Sequence, residues 1–516
     1  MHRHCLAGIG LLALAACETT GGGTGGRAYA PAAAVPLPGT EDTSRFDNGE
    51  ESPIRRVADA PFSTFSADVD TSSWSLARRF VLDQGQLPPS EAVRVEEIVN
   101  AFDYAYPVPE SADEPFAPAV TVFPAPWDRD RELIRIGVKG YDLEPEETPP
   151  GNVVLLLDVS GSMNQPDKLP LVVRAMELLT DQLDTDDTLA IVLYAGAAGV
   201  ALEPTPGDQK TTIKQALRSL TAGGSTAGGE GLSLAYELAE QNFDAEAVNR
   251  IVLVTDGDFN VGVTGDEPLT DLVARKRETG IYLSVLGVGL GNLNDQMMQT
   301  IAQHGNGVAA YIGDLEDARR VLVREFTSSM FPIAEDLKFQ VEFNPAAISE
   351  YRLIGYQTRM LREEDFGDDA KDAGDIGSGH TVTALYEVTR TGAEGRLPPR
   401  RYAEAPPAYD PDAELAFLRI RYKAPGGETS RLIERAILPS DRTDRPGADA
   451  RFAAAAAALG EKLARTGHAD AMSYEAIADY ANAARGDDPY GDRAALVRVA
   501  RAAGDLAAGA GDQLGD

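Results

Sequence analysis

The chain is short of cysteine, histidine, tryptophan and basic charge, and it has no long apolar run. Its two cysteines, Cys5 and Cys17, both fall within the first 17 residues, so everything beyond them lacks a thiol for a disulfide or a thiolate metal site. Two of the five histidines, His2 and His4, sit beside the initiator, leaving His304, His380 and His468 for any imidazole chemistry. With 47 basic residues against 81 acidic ones the formal net charge is −34. A nucleic-acid binder needs a basic footprint to displace counterions, so nucleic acid is excluded as a partner class. The apolar stretch Leu6–Ala16 is about half of the ~20 residues that a spanning helix needs. What remains is globular in character, with 43% hydrophobic and 25% charged residues among 516, enough for about three or four domains.

The opening residues, "MHRHCLAGIGLLALAAC", combine a basic start at Arg3, an apolar run and a small-residue end, the pattern of a secretory signal. The last four, "LAAC" at 14–17, resemble the lipobox of bacterial lipoproteins, in which the cysteine becomes the lipidated first residue of the mature chain. That resemblance implies a signal peptide over 1–16 and a lipid-bearing Cys17; ordinary signal-peptidase cleavage is the alternative. Each buried acyl methylene adds about 0.8 kcal/mol of membrane affinity. Glu18 stands where an inner-membrane retention aspartate would stand. The expected location is therefore the cell envelope, lipid-anchored, with the outer membrane favoured in a Gram-negative cell. Residues 17–60 are rich in Gly, Pro, Thr and Ala and read as a flexible tether reaching about 35–40 Å.

Residues 61–147 mix strand patterns ("AVTVFPAPWD", "ELIRIGVKG") with a helix expected over 91–102 and read as a small α+β module. From 148 to 330 short, continuously apolar runs alternate with amphipathic helices expected at 168–183, 208–220, 230–241, 268–279, 294–304 and 315–329. Such runs spaced by helices imply a parallel sheet covered on both faces: a doubly wound, three-layer, Rossmann-like α/β domain. Residues 331–445 return to strand patterns and read as a β-sandwich-like module, interrupted by an acidic, glycine-containing loop at 362–379. The segment 446–516 is alanine-rich and helical.

In an open parallel sheet, ligands sit beyond the carboxyl ends of the strands. Three loops lie at such ends: Asp158-Val159-Ser160-Gly161-Ser162 after "NVVLLL", the glycine-rich "AGGSTAGGEG" at 222–231 with Thr226, and "TDGDFN" at 255–260, where Asp256 follows "RIVLVT". Asp158, Ser160, Ser162, Thr226 and Asp256 offer only hard oxygen donors, which select Mg²⁺ or Mn²⁺, with Ca²⁺ ranked after them. The hydroxyls of Ser160, Ser162 and Thr226 can coordinate such an ion, and the two carboxylates can bind it directly or hold coordinated waters. Two carboxylates and three neutral hydroxyls leave one octahedral position and much positive charge uncommitted, which an outside carboxylate would complete. Asp258 and Asn260 are candidates for outer partners of the site, with a plain turn role as the alternative. "DVDTSSW" at 68–74 repeats the acid-and-hydroxyl theme without an apolar strand leading into it, and reads as the start of a helix near Ser72.

DxSxS at 158–162, Thr226 in a glycine-rich loop and Asp256 in TDG resemble the metal-ion-dependent adhesion site (MIDAS) of von Willebrand factor type A (VWA) domains. "FSADVDTSSWSLARRFV" at 65–81, "GGSTAGGEGLSLAY" at 223–236 and "TDGDFNVGV" at 255–263 look like a bacterial lipoprotein family that places this domain between an N-terminal and a C-terminal module. The resemblance implies metal-dependent binding of a protein carboxylate without catalysis. Rival readings are a periplasmic hydrolase and a non-metal structural scaffold. "GGSTA" at 223–227 misses the GxSxG elbow at Ala227, and "GGSTAGGEG" lacks a P-loop ending.

Overall fold

The computed structural model describes residues 43–513 apart from 110, 144–147, 225–227, 258, 260–266, 326, 327, 329 and 402–407. Four strands come first: β1 (Arg55–Arg56), β2 (Phe62–Ser66), β3 (Ala119–Ala125) and β4 (Asp128–Lys139), with helices α1 (Ser72–Arg78) and α2 (Val95–Asn100) between β2 and β3. The expected helix over 91–102 is a short 3-10 turn, Ser90–Ala92, followed by α2.

The alternating region follows: β5 (Gly151–Asp158), α3 (Leu169–Gln182), β6 (Thr188–Tyr194), β7 (Ala198–Pro206), α4 (Lys210–Arg218), α5 (Gly228–Gln241), β8 (Val248–Thr255), α6 (Glu267–Arg277), β9 (Ile281–Val288), α7 (Asp295–His304), β10 (Ala309–Ile312) and α8 (Leu315–Arg319). The sheet order is β10-β9-β8-β5-β6-β7, parallel except for β7, which runs antiparallel beside β6. Edge position explains why β7 was not visible as a strand: "AGVALEPTP" carries two prolines and is mostly exposed. Val153 to Leu157 are all 0–1% exposed, which is why the central strand shows no alternation. Its two faces feed separate cores. One is shared with α3, α4 and α8, the other with α5, α6 and α7. This is the expected doubly wound α/β domain.

The chain then returns to β11 (Pro332–Phe343), β12 (Ile348–Ile354), β13 (Met360–Leu361), β14 (Gly374–Gly377), β15 (Thr381–Arg390), β16 (Ala416–Lys423) and β17 (Ser430–Ile437). These strands do not form a module of their own. One sheet runs β1-β12-β15-β4-β3 and the other β13-β2-β11-β16-β17, with β14 on β11, so strands from 55–139 and 332–437 interleave in both. The expected α+β module at 61–147 and β-rich module at 331–445 are thus halves of one sandwich, and the α/β domain is inserted between β4 and β11. Phe65 stacks on Phe339 at 5.1 Å and Phe343 on Tyr351 at 4.2 Å across the shared core. The expected loop at 362–379 contains the 3-10 turn Glu363–Gly367 and β14, and Asp369 pairs with Arg421 at 2.9 Å.

Helices α9 (Ala448–Ala464), α10 (Tyr474–Ala483) and α11 (Asp492–Gln513) close the chain. The alanine run Ala453–Ala458 is fully buried in a core with α2, Trp74 and Phe102. A Cβ added at Gly460 would lie 2.9 Å from Val95 Cγ1, so small residues let these helices approach closely. Among the described residues no helix is long and apolar enough to cross a membrane. Residues 43–57, placed in the tether by composition, are held on the folded body: Thr43 and Arg45 bond to Gly291 and Leu293, and β1 pairs with β12. Backbone pairing needs no large apolar side chains, so composition could not reveal it.

Candidate metal centre

Buried β5 ends on Asp158, which folds back on its own chain: Oδ1 accepts the Ser160 N–H at 2.8 Å, an Asx turn. This turn starts the 3-10 segment Gly161–Asn164 and brings the Ser160 and Ser162 hydroxyls to 3.0 Å. Two backbone bonds pin the glycine-rich loop against it, from Gly223 N–H to Val159 O at 2.7 Å and from Gly161 N–H to Gly224 O at 3.1 Å. Gly224 has φ +93°, and a Cβ there would sit 3.2 Å from Gly196 N, so this path favours glycine. Thr226 itself, with Asp258, Asn260 and Cys17, lies outside the described residues.

On the neighbouring strand β8, Thr255 is followed by Asp256, fully buried. Its Oδ2 accepts from Lys168 Nζ at 2.7 Å, and the same ammonium donates to Asn292 Oδ1 at 3.0 Å. Lys168 is only 2% exposed. Sequence reasoning missed it; the available signal was a lone lysine six residues after the DxSxS hydroxyls, immediately before the helix-opening "LP". Gly257, at φ +107°, lets the chain turn past the loop after β9: a Cβ there would meet Asn292 O at 2.3 Å.

Burial, with negative Asp256 beside it, pushes the Asp158 carboxyl up to about 6 against the opposing Ser160 bonds. Burial alone would raise Asp256 as well, but Lys168, Ser162 and Asn292 hold it below the usual carboxylate range. The Tyr194 phenol, wholly buried next to Asp158, is pushed well above its usual value by burial and by that charge. Among the described residues neither Asp158 Oδ2 nor Asp256 Oδ1 has a hydrogen-bond partner, and both are sealed from solvent. An orphaned buried acceptor costs about 1–3 kcal/mol. A hard cation between the two strand ends would satisfy both, so Asp158, Ser160, Ser162 and Asp256 fit such an ion. Among the described residues no group of three or more His, Cys, Asp and Glu side chains gathers at metal-holding spacing. Any ion here would therefore lean on the hydroxyls.

The other candidates lie elsewhere. His304 Nδ1 bonds Thr300 O at 2.8 Å, His468 lies between Arg396 and Glu51, and His380 sits where the α/β domain meets the sandwich. Asp68 and Asp70 of "DVDTSSW" follow strand β2 and are tied to Arg359 at 3.0 and 2.7 Å, and Asp70 Oδ1 also accepts the Ala309 N–H at 2.9 Å. That motif joins the sandwich to β10, and α1 does begin at Ser72, although without a side-chain cap.

Sequence models of three regions match: "von Willebrand factor" over 40–135, "von Willebrand factor type A domain" over 152–323, and "Uncharacterized protein YfbK, C-terminal" over 328–506. The Escherichia coli (strain K12) protein YfbK is 43% identical over 480 residues, 92% of this chain and 82% of that one. The chain belongs to the YfbK family. Its inserted α/β domain is a VWA domain, and the YfbK match extends through both halves of the sandwich into the helical tail. A Synechocystis protein, sll0103, is 30% identical over 186 residues, covering 36% of this chain and 43% of its own. The solved structure of von Willebrand factor type A from Catenulispora acidiphila covers 77% of this chain and 98% of its own, with 17% identity and a TM-score of 0.42.

Proposed function

We propose that this YfbK-family chain is a lipid-anchored cell-envelope protein whose VWA domain binds a divalent cation, Mg²⁺ or Mn²⁺, and through it a carboxylate of a protein partner. The observation that carries the reading is the pair of buried carboxylates at adjacent strand ends, each with an oxygen that has no partner among the described residues, flanked by the Ser160 and Ser162 hydroxyls. Asp158, Ser160, Ser162 and Asp256 would hold the ion, with Thr226 contributed by the glycine-rich loop. The bound ion supplies a Lewis-acidic point of attachment for the partner's Asp or Glu. Two carboxylates, one Lys168 ammonium and one divalent ion leave a single net positive charge, and one incoming carboxylate neutralises it. Ser160 and Ser162 add no charge of their own, so they leave that demand intact. The Asp158 turn fixes both hydroxyls without using its second oxygen. The acidic chain as a whole disfavours nucleic acid as the partner, and Cys17 would carry the lipid.

Calorimetric titration with MgCl₂ followed by capture from membrane extracts tests this. Wild type in Mg²⁺ is expected to bind the ion and to enrich a protein that is lost with chelator and with Asp158→Ala. A folded, metal-loaded wild type that enriches nothing in a metal-dependent way overturns the adhesion reading. For the anchor, Cys17→Ser is expected to move the protein from the membrane to the soluble fraction.

A further inference from the structure

The residues that begin the described chain reach the candidate metal centre through an unbroken set of contacts. Thr43 N–H donates to Gly291 O at 2.7 Å and Arg45 N–H to Leu293 O at 2.8 Å, while Gly291 N–H donates to Ser44 Oγ at 3.2 Å. Arg45 O in turn accepts the Asp295 N–H at 3.1 Å, the first residue of α7. This strap therefore holds the whole β9–α7 loop from outside. From inside, the loop presents Asn292, whose Oδ1 accepts from Lys168 Nζ at 3.0 Å. Lys168 completes the path to Asp256 Oδ2 at 2.7 Å. Gly257, immediately after Asp256, lies against the backbone of Asn292, Leu293 and Asn294, so the loop also forms a wall of the site.

We infer that the Thr43–Arg45 strap regulates cation binding by keeping Lys168 on Asp256 as a resident, competing positive charge. The inference rests on the metal reading above. Lys168 and Asn292 are positioning residues: a divalent ion and the ammonium draw on the same carboxylate, so whatever fixes the ammonium weakens the ion. Asn292 is one of its two acceptors among the described residues, and the strap orders the loop that carries Asn292. By linkage the effect runs both ways, so an ion that weakens the Lys168–Asp256 contact also loosens the strap.

The test uses the full chain. Arg45→Pro removes the N–H that bonds Leu293 O without touching the carboxylates; Asn292→Ala removes the Lys168 acceptor. MgCl₂ titration is expected to give at least about five-fold tighter binding for Arg45→Pro, at the low end of typical couplings, with Asn292→Ala shifted in the same direction. In a Lys168→Met background, Arg45→Pro is expected to change affinity less than two-fold, because the competitor is gone. Hydrogen exchange in wild type should show the Thr43 and Arg45 amides exchanging faster in Mg²⁺ than in chelator. Binding by wild type with affinities within two-fold across the variants and unchanged strap exchange would sink the strap mechanism while leaving the metal reading standing. Slower strap exchange in Mg²⁺ would contradict the competition outright. No saturable Mg²⁺ binding by wild type overturns both.

Discussion

Asp158→Asn isolates the charge of one proposed metal ligand while keeping its shape. The folded environment raises the Asp158 carboxyl from 3.8 to about 6. The folded state thus holds the proton more tightly than the unfolded chain does. The resulting penalty on metal-free stability is absent below about pH 4, grows as pH rises towards 6, and is constant above. Two units at about 1.4 kcal/mol each make it about 3 kcal/mol. Asparagine escapes it, and its side-chain oxygen can still accept the Ser160 N–H; the stronger bond to the charged carboxylate is already contained in the net shift. The expectation is a variant about 3 kcal/mol more stable than wild type in chelator at pH 7.5, read from urea denaturation. In saturating Mg²⁺ the order should reverse, because wild type gains binding energy that the variant cannot collect; a thousand-fold excess over Kd contributes about 4.1 kcal/mol. At pH 4 the chelator advantage should disappear. A variant less stable than wild type in chelator at pH 7.5, or one equally stabilised by Mg²⁺, would refute the reasoning.

Lys168→Met leaves Asp256 buried without its ammonium, and breaking a buried pair costs about 3–5 kcal/mol; most of that loss should be recovered in Mg²⁺, and an equal loss with and without Mg²⁺ in denaturation curves would count against a shared site. Burial, with Asp68 and Glu97 close by, raises Glu96 to about 8. Its stabilising contribution is therefore full below about pH 4.5 and lost as pH rises through 8, so Glu96→Gln should flatten the pH–stability profile between 5 and 9; a parallel profile would contradict the shift. Arg352 bonds Glu461 at 2.7 Å with both side chains nearly fully buried, joining β12 to α9. Arg352→Met should cost about 3–5 kcal/mol and open the α9–α11 tail to limited proteolysis, and a protease-resistant tail would show that the pair does not secure it.

The inserted domain was legible because its information is local. Each apolar run from "NVVLLLD" to "VAAYIG" is one buried parallel strand, and each amphipathic stretch is one helix, with ends mostly within two residues; at 315–329 the α-helix ends at Arg319 and a π-helical turn, Arg320–Arg324, continues it. The sandwich was legible strand by strand and illegible as a whole, since nothing in "ELIRIGVKG" says that its partner is "HTVTALYEVTR". Pairing at that separation is decided by packing of the complete core. At the candidate site the acidic and hydroxyl residues stood out because their pattern is compact. Lys168 did not, because a buried lysine differs from a surface one only in the neighbours that the fold brings to it.

The insertion between β4 and β11 also fixes an order of events during synthesis. Val138 of β4 pairs with Val382 of β15, and Phe65 of β2 with Phe339 of β11. At about 5–20 residues per second, β4 waits on the order of ten seconds to a minute for that partner to leave the ribosome. Every strand of the VWA sheet is made within that interval. The inserted domain can therefore mature while the strands that will carry it still present open edges, and those edges are where the nascent protein is most exposed to wrong pairing.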